Sequence, residues 1–103
     1  MSDRPGDGVS AVVVNYKSAQ LTVGCIATLR AEGVRDVVVV DNASDDGCAE
    51  MVAAADPDAM FVAMPTNVGY GAAANEGVAR TSGWAVIISN PDLVARAADG
   101  EVR

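Results

Sequence analysis

The chain reads as an α/β fold, with strands and helices in the order β-α-β-α-β-α-β around a parallel sheet. Three observations predict this. Short apolar runs rich in valine, residues 9–16 (VSAVVVNY) and 36–40 (DVVVV), are continuous rather than alternating, which suits strands buried on both faces. Segments with apolar residues at helical spacing fall between the runs, as the crossovers of a parallel sheet require. Polar and turn-forming residues collect where each run ends, at Asn15-Tyr16, Asp41-Asn42, residues 65–71 and Asn90-Pro91-Asp92. Ligands of such folds bind beyond the carboxyl ends of the strands, so this edge is the candidate functional one.

Each element has a local justification. Residues 1–8 are polar and read as a disordered lead-in to the first strand, 9–16. Ser18 stands where an N-cap is wanted. Leu21, Cys25 and Leu29 recur at helical spacing with Ile26 beside them. That stripe predicts the buried face of a helix ending near Ala31, with Gly33 just past its end. The second strand, 36–40, runs into a polar turn, 41–47, where Ser44 or Asp45 can cap the next helix. Cys48, Met51, Val52 and Ala55 form that helix's apolar face, and Asp56-Pro57 stops it. A short third strand covers 60–64. An alanine-rich helix covers 72–81 and is closed by Gly83. A fourth strand, 84–89 (WAVIIS), is broken by Asn90-Pro91-Asp92.

Composition narrows the function. The chain has 103 residues, half of them hydrophobic and 20% charged, which is one globular domain. Aromatics are only 4%, so valine and alanine make a small core; a chain of this size buries roughly 60–70% of its unfolded surface. A net charge of −7 and a single lysine, Lys17, exclude a binder of nucleic-acid backbones. The absence of histidine excludes Ser-His-Asp, Cys-His and histidine-ligated zinc chemistry. Cys25 and Cys48 lack metal or redox spacing and read as buried thiols in a reducing compartment. The N-terminus is not a signal peptide, and no apolar run approaches the roughly 18 residues of a membrane span.

Taken singly, the polar motifs at the strand ends each have a plain structural reading. Tyr16 offers a flat face to a nucleobase, or is an ordinary strand-end aromatic. Asp41 or Asn42 offers an acceptor to a base imide, or forms an Asx turn into the helix. Residues 67–75 (NVGYGAAAN) let backbone approach a ligand and open a helix toward an anion, or are a βα turn. They match neither a Walker A loop nor the dinucleotide fingerprint. Asp92 suits Mg²⁺ or Mn²⁺ shared with a diphosphate, or is a turn residue. An interaction domain of the response-regulator kind would want a lysine near the last strand, and the one lysine is Lys17.

As an ordered set, the stretches 9–18 (VSAVVVNYKS), 36–47 (DVVVVDNASDDG), 65–78 (PTNVGYGAAANEGV) and 84–94 (WAVIISNPDLV) resemble the start of a family 2 glycosyltransferase. The likeness is to the GT-A type, and within it to the rhamnosyltransferase-like members. The resemblance implies the Rossmann-like, nucleotide-diphospho-sugar half of a GT-A fold. It implies that Tyr16 packs on the base and that Asp41 and Asn42 contact the pyrimidine. It implies that Asn67, Gly69, Asn75 and Asn90 line the donor pocket and that Asp92 binds a divalent cation, Mg²⁺ or Mn²⁺. The first carboxylate of that metal motif is replaced here by Asn90.

On this resemblance the domain spans 9–94, and 95–103 is a polar tail. The acceptor half and its general base are expected downstream of Asp92. The complete enzyme would be cytoplasmic, with peripheral membrane association open. It would pass a sugar from a UDP- or dTDP-sugar to a saccharide or lipid-linked acceptor, inverting the anomeric carbon. The alternative is a non-catalytic or vestigial nucleotide-binding module. A truncated reading frame, a gene fragment and half of a split protein all stay open as origins.

Overall fold

A computed structural model describes residues 8–83 together with the backbone of residues 85–89. The elements are β1 (Val9–Asn15), α1 (Ala19–Ala31), β2 (Asp36–Asp41), α2 (Cys48–Ala55), β3 (Met60–Ala63), α3 (Tyr70–Val78) and β4 (Ala85–Ser89). The four strands are parallel, in the order β3-β2-β1-β4. The chain winds outward from β1 to β3, then crosses back to place β4 on the far side of β1. The sheet therefore changes winding direction between β1 and β4, the position at which such folds open a crevice.

The valine runs are buried on both faces, as their lack of alternation predicts. Ala11, Val13, Val37 and Val39 face α1 and α2, where Cys25, Ile26, Cys48 and Val52 cover them. Val12, Val14, Val38 and Val40 face α3, which meets them with the buried Ala73, Ala74 and Gly77 and the partly buried Val78. Small residues let that helix sit close. A Cβ on Gly77 would lie 2.3 Å from Val12 Cγ1, so any larger residue there would push the helix off the sheet. Each fully buried valine is worth about 1.5–3 kcal/mol of burial, and these central strands supply most of the apolar contact.

Several local expectations are corrected. On α1 the buried residues are Ala19, Thr22, Cys25 and Ile26, and Leu21 is 40% exposed. The face is turned by one residue because the Thr22 hydroxyl donates to Asn15 Oδ1 at 2.7 Å and draws Thr22 inward. Ser18 flanks α1 without capping it; its hydroxyl donates to the Tyr16 carbonyl. Gly47, with φ of 78°, precedes α2, and Asp46 rather than Ser44 or Asp45 accepts the Cys48 N–H at 3.2 Å. α3 begins at Tyr70 and ends at Val78, earlier at both ends than expected. Beyond it Arg80 and Thr81 bond three residues back, the tightening that ends a helix. β3 stops at Ala63, and its exposed ends mark it as an edge strand.

Candidate donor-binding edge

The site is built from the register of β1 and β2, which sets Asn15 opposite Asp41 at the carboxyl end of the sheet. Asn15 is fully buried, the last residue of a strand whose other side chains are alanine, valines and, at its amino end, Ser10. Its oxygen accepts from Thr22. Its amide nitrogen faces Asp41 Oδ1 at 2.8 Å, Ser44 Oγ at 3.1 Å and Asp46 Oδ2 at 3.3 Å. Carboxylates only accept, so this surround fixes which end of the amide is nitrogen. Ser44 Oγ lies 2.5 Å from Asp41 Oδ1 and 2.9 Å from Asp46 Oδ1, and its one proton serves either. Burial pushes the Asp46 carboxyl up, but hydrogen bonds from Ser44, Asn15 and the Cys48 N–H outweigh it and hold the group below its ordinary value.

Asp41 receives both of its bonds on Oδ1, and among the described residues no donor reaches Oδ2. One residue after Asn15, Tyr16 is 45% exposed, with Lys17 Nζ 5.3 Å from its ring centroid. The non-glycine residues with positive φ among the described residues are Lys17, Ala43 and Asp45, all in the loops leaving β1 and β2. Strained backbone of this kind persists where the surroundings hold it, and it gathers at functional sites.

The other sequence-predicted residues divide. Asn42 is 3% exposed; its N–H donates to the Asn15 carbonyl at 2.8 Å and its Oδ1 accepts from the Val68 N–H at 3.0 Å. Asn67 is exposed and accepts the Gly69 N–H at 2.8 Å, and Gly69 takes φ of 86° to open α3 without a side-chain cap. Asn75 is exposed on α3, away from the face carrying Ala73, Ala74 and Gly77, and is not drawn into the cluster. Asn90 and Asp92 lie outside the described residues. Sequence reading missed Asn15, Thr22 and Asp46 as members of the network. The available signal was an amide ending a buried valine run, with a threonine seven residues on.

Asp41, Asp46 and Cys48 place ligand atoms within 4.8 Å of one another. They do not fit the divalent cation implied above. Both carboxylates already accept from Asn15 and Ser44. The Cys48 thiol is pushed up to about 12, first by burial and then by the charges of Asp41, Asp46 and Glu50. Hard cations also prefer an all-oxygen set. A cavity of about 440 Å³ opens on the α1 side of Asp46, lined by Lys17, Ser18, Gln20 and Met51 among others.

A doubly wound, Rossmann-like sheet whose polar groups gather beyond the carboxyl edge is the architecture of the nucleotide-sugar half of a GT-A domain. The chain belongs to glycosyl transferase family 2, which it matches over residues 10–99. It is similar to the succinoglycan biosynthesis protein ExoO of Rhizobium meliloti (strain 1021), with 39% identity over 90 residues. The match covers 84% of this chain but 26% of that protein, so the chain spans about a quarter of that relative's length. No helix among the described residues is long and apolar enough to cross a membrane.

Proposed function

We propose that this chain forms the donor-binding part of a glycosyltransferase that moves a hexosyl or rhamnosyl group from a UDP- or dTDP-sugar to a hydroxyl of a saccharide or lipid-linked acceptor, with inversion. The observation that carries the reading is Asp41 at the carboxyl edge, its Oδ2 reached by no donor among the described residues, one strand from the exposed Tyr16. A carboxylate there demands a donor from its ligand. Uracil and thymine bring one, the imide N–H; cytosine presents a lone pair at the same position. Tyr16 supplies the stacking face. Asn42, Asn67 and Gly69 form the wall beside the base, with Asn75 and Asn90 further along the donor.

Asp92 is the proposed ligand of Mg²⁺ or Mn²⁺. When bound, such an ion supplies charge neutralisation to the departing diphosphate. The acceptor and its general base belong to chain beyond the donor half. The family 2 membership and the similarity to a biosynthesis protein support transfer as the reaction class.

Equilibrium titration of the 103-residue chain with UDP, dTDP, CDP and ADP tests this. The expected result is binding of UDP or dTDP at least tenfold tighter than CDP or ADP. Tyr16→Ala and Asp41→Ala should each weaken it by about tenfold or more, roughly the worth of one stacked or charge-assisted contact. Equal affinity for all four nucleotides, or none for any, would contradict the proposal.

A further inference from the structure

The segment between β3 and α3 forms one wall of the proposed site, and after Met64, which packs on the core at its start, no buried apolar side chain anchors it. Pro65, Thr66, Asn67, Val68 and Gly69 are all exposed. Its position therefore depends on hydrogen bonds. Met64 N–H donates to the Asp41 carbonyl at 2.9 Å, at the point where β3 ends. The Gly69 N–H bonds within the segment itself, to Asn67. Among the described residues, the bond that ties the middle of the segment back to the sheet is Val68 N–H to Asn42 Oδ1, 3.0 Å. Asn42 is itself fixed, since its side chain is 97% covered and its own N–H is held by Asn15.

We propose that Asn42 is a positioning residue, a latch that holds the 65–69 segment and the opening of α3 beside Asp41. It acts on the nucleotide through Val68 and does not read the base. The geometry favours this because the amide oxygen is committed to Val68 and the residue is buried at 3% exposure, which leaves little of it to meet a base. Asparagine suits the task because a backbone N–H needs an acceptor, and the side chain must be short enough to stay buried at the strand end. An aspartate would present an oxygen in the same place.

That last point makes the latch separable from direct recognition. Asn42→Ala removes the acceptor, whereas Asn42→Asp keeps it and removes the NH₂. Two readouts on the full chain decide the matter: amide hydrogen exchange at Val68, and UDP affinity. The effect on affinity rests on the donor-binding reading; the exchange at Val68 does not.

The expected result is exchange at Val68 at least tenfold faster in Asn42→Ala, with rescue to within about threefold of the unchanged chain in Asn42→Asp. UDP affinity should fall about tenfold in the alanine variant and be rescued by aspartate. Should the alanine variant fail to fold, Asn42→Ser, too short to reach Val68, replaces it. Unchanged exchange at Val68 in the alanine or serine variant would overturn the latch. So would a loss of UDP binding in Asn42→Asp as complete as in Asn42→Ala with Val68 still protected, since that assigns base contact to the amide NH₂. If the unchanged chain binds no UDP, the donor reading fails, and the exchange results alone confirm or overturn the latch.

Discussion

The two ends of the β1–β2 pair are chemically matched and do different work. The register sets Ser10 opposite Asp36 at one end and Asn15 opposite Asp41 at the other, each a β1 polar group facing a β2 aspartate. At the amino end a single carboxylate oxygen, Asp36 Oδ2, accepts from Ser10 Oγ at 2.6 Å, Ser82 N–H at 2.9 Å and Ser82 Oγ at 3.2 Å. Ser10 Oγ in turn accepts the Gly83 N–H at 2.7 Å. Donors outnumber charges there, and the chain entering β4 is clamped shut. At the carboxyl end two carboxylates share the Asn15 amide, the Ser44 hydroxyl and the Cys48 N–H, three non-glycine residues sit at positive φ, and among the described residues no donor reaches Asp41 Oδ2, as none reaches Asp36 Oδ1 at the other end. Three donors on one carboxylate make a joint; three donors spread over two carboxylates, beside the exposed Tyr16, make the candidate receptor.

The largest effect that would sharpen this contrast is at Asn15. Asn15→Ala leaves Asp41, Asp46 and the Thr22 hydroxyl buried or half-buried without their shared partner. The expected loss is roughly 3–4 kcal/mol, a fall in melting temperature of about 15–20 °C. A fall of only a few degrees would mean that the loops after β1 and β2 are held by something other than this amide.

Gly83→Ala breaks the amino end instead. The new Cβ would lie 2.6 Å from the Gly8 carbonyl and Ser10 Oγ and 2.8 Å from Ser10 N. Two of those atoms are backbone, so the turn must move, at about 2 kcal/mol. Chemical denaturation should register that loss, while nucleotide affinity of the folded variant stays unchanged. A parallel loss of affinity would show the two ends to be coupled through β1.

Most of the fold was legible because it depends on neighbours in sequence. A valine run without alternation is a buried strand whatever surrounds it, and Gly33, with φ of 93°, ends α1 as its position after Ala31 predicts. What stayed hidden depends on register and on partners distant along the chain. Nothing near Thr22 says that it, rather than Leu21, turns inward; the reason is Asn15, seven residues earlier. The role of Asn15 depends in turn on Asp41, twenty-six residues later. Tyr16 and Asp41 were legible as strand-end groups, whereas the commitment of Asn42 to Val68 needs the third loop folded back on the second.

A smaller effect, shared by both ends, appears on acidification. Asp36 and Asp46 are each held below the ordinary value of 3.8, because hydrogen bonds to the charged form outweigh the upward push of burial. A lowered folded value means stabilisation that is complete above about pH 4 and lost as pH falls further through the folded values. Unfolding free energy measured from pH 6 to pH 2.5 should be flat at first and then decline. In Asp36→Asn the decline should be shallower, the remainder coming from Asp46 and from Asp56, which Arg30 holds low. An identical slope in the variant would remove Asp36 from the account.

The central claim is that only the carboxyl end receives a nucleotide, and a ligand-induced melting shift tests it most directly. The unchanged chain, Asp36→Asn and Asp41→Asn are each melted with and without UDP or dTDP, every variant judged against its own baseline. At about a hundred times the dissociation constant the unchanged chain should gain roughly 2.7 kcal/mol, a rise on the order of 10 °C. Asp36→Asn should start lower and keep the whole rise, whereas Asp41→Asn, at about tenfold weaker binding, should lose about half of it or more. Equal rises in both variants, or no rise in a folded unchanged chain, would contradict the assignment of the carboxyl end as the donor site.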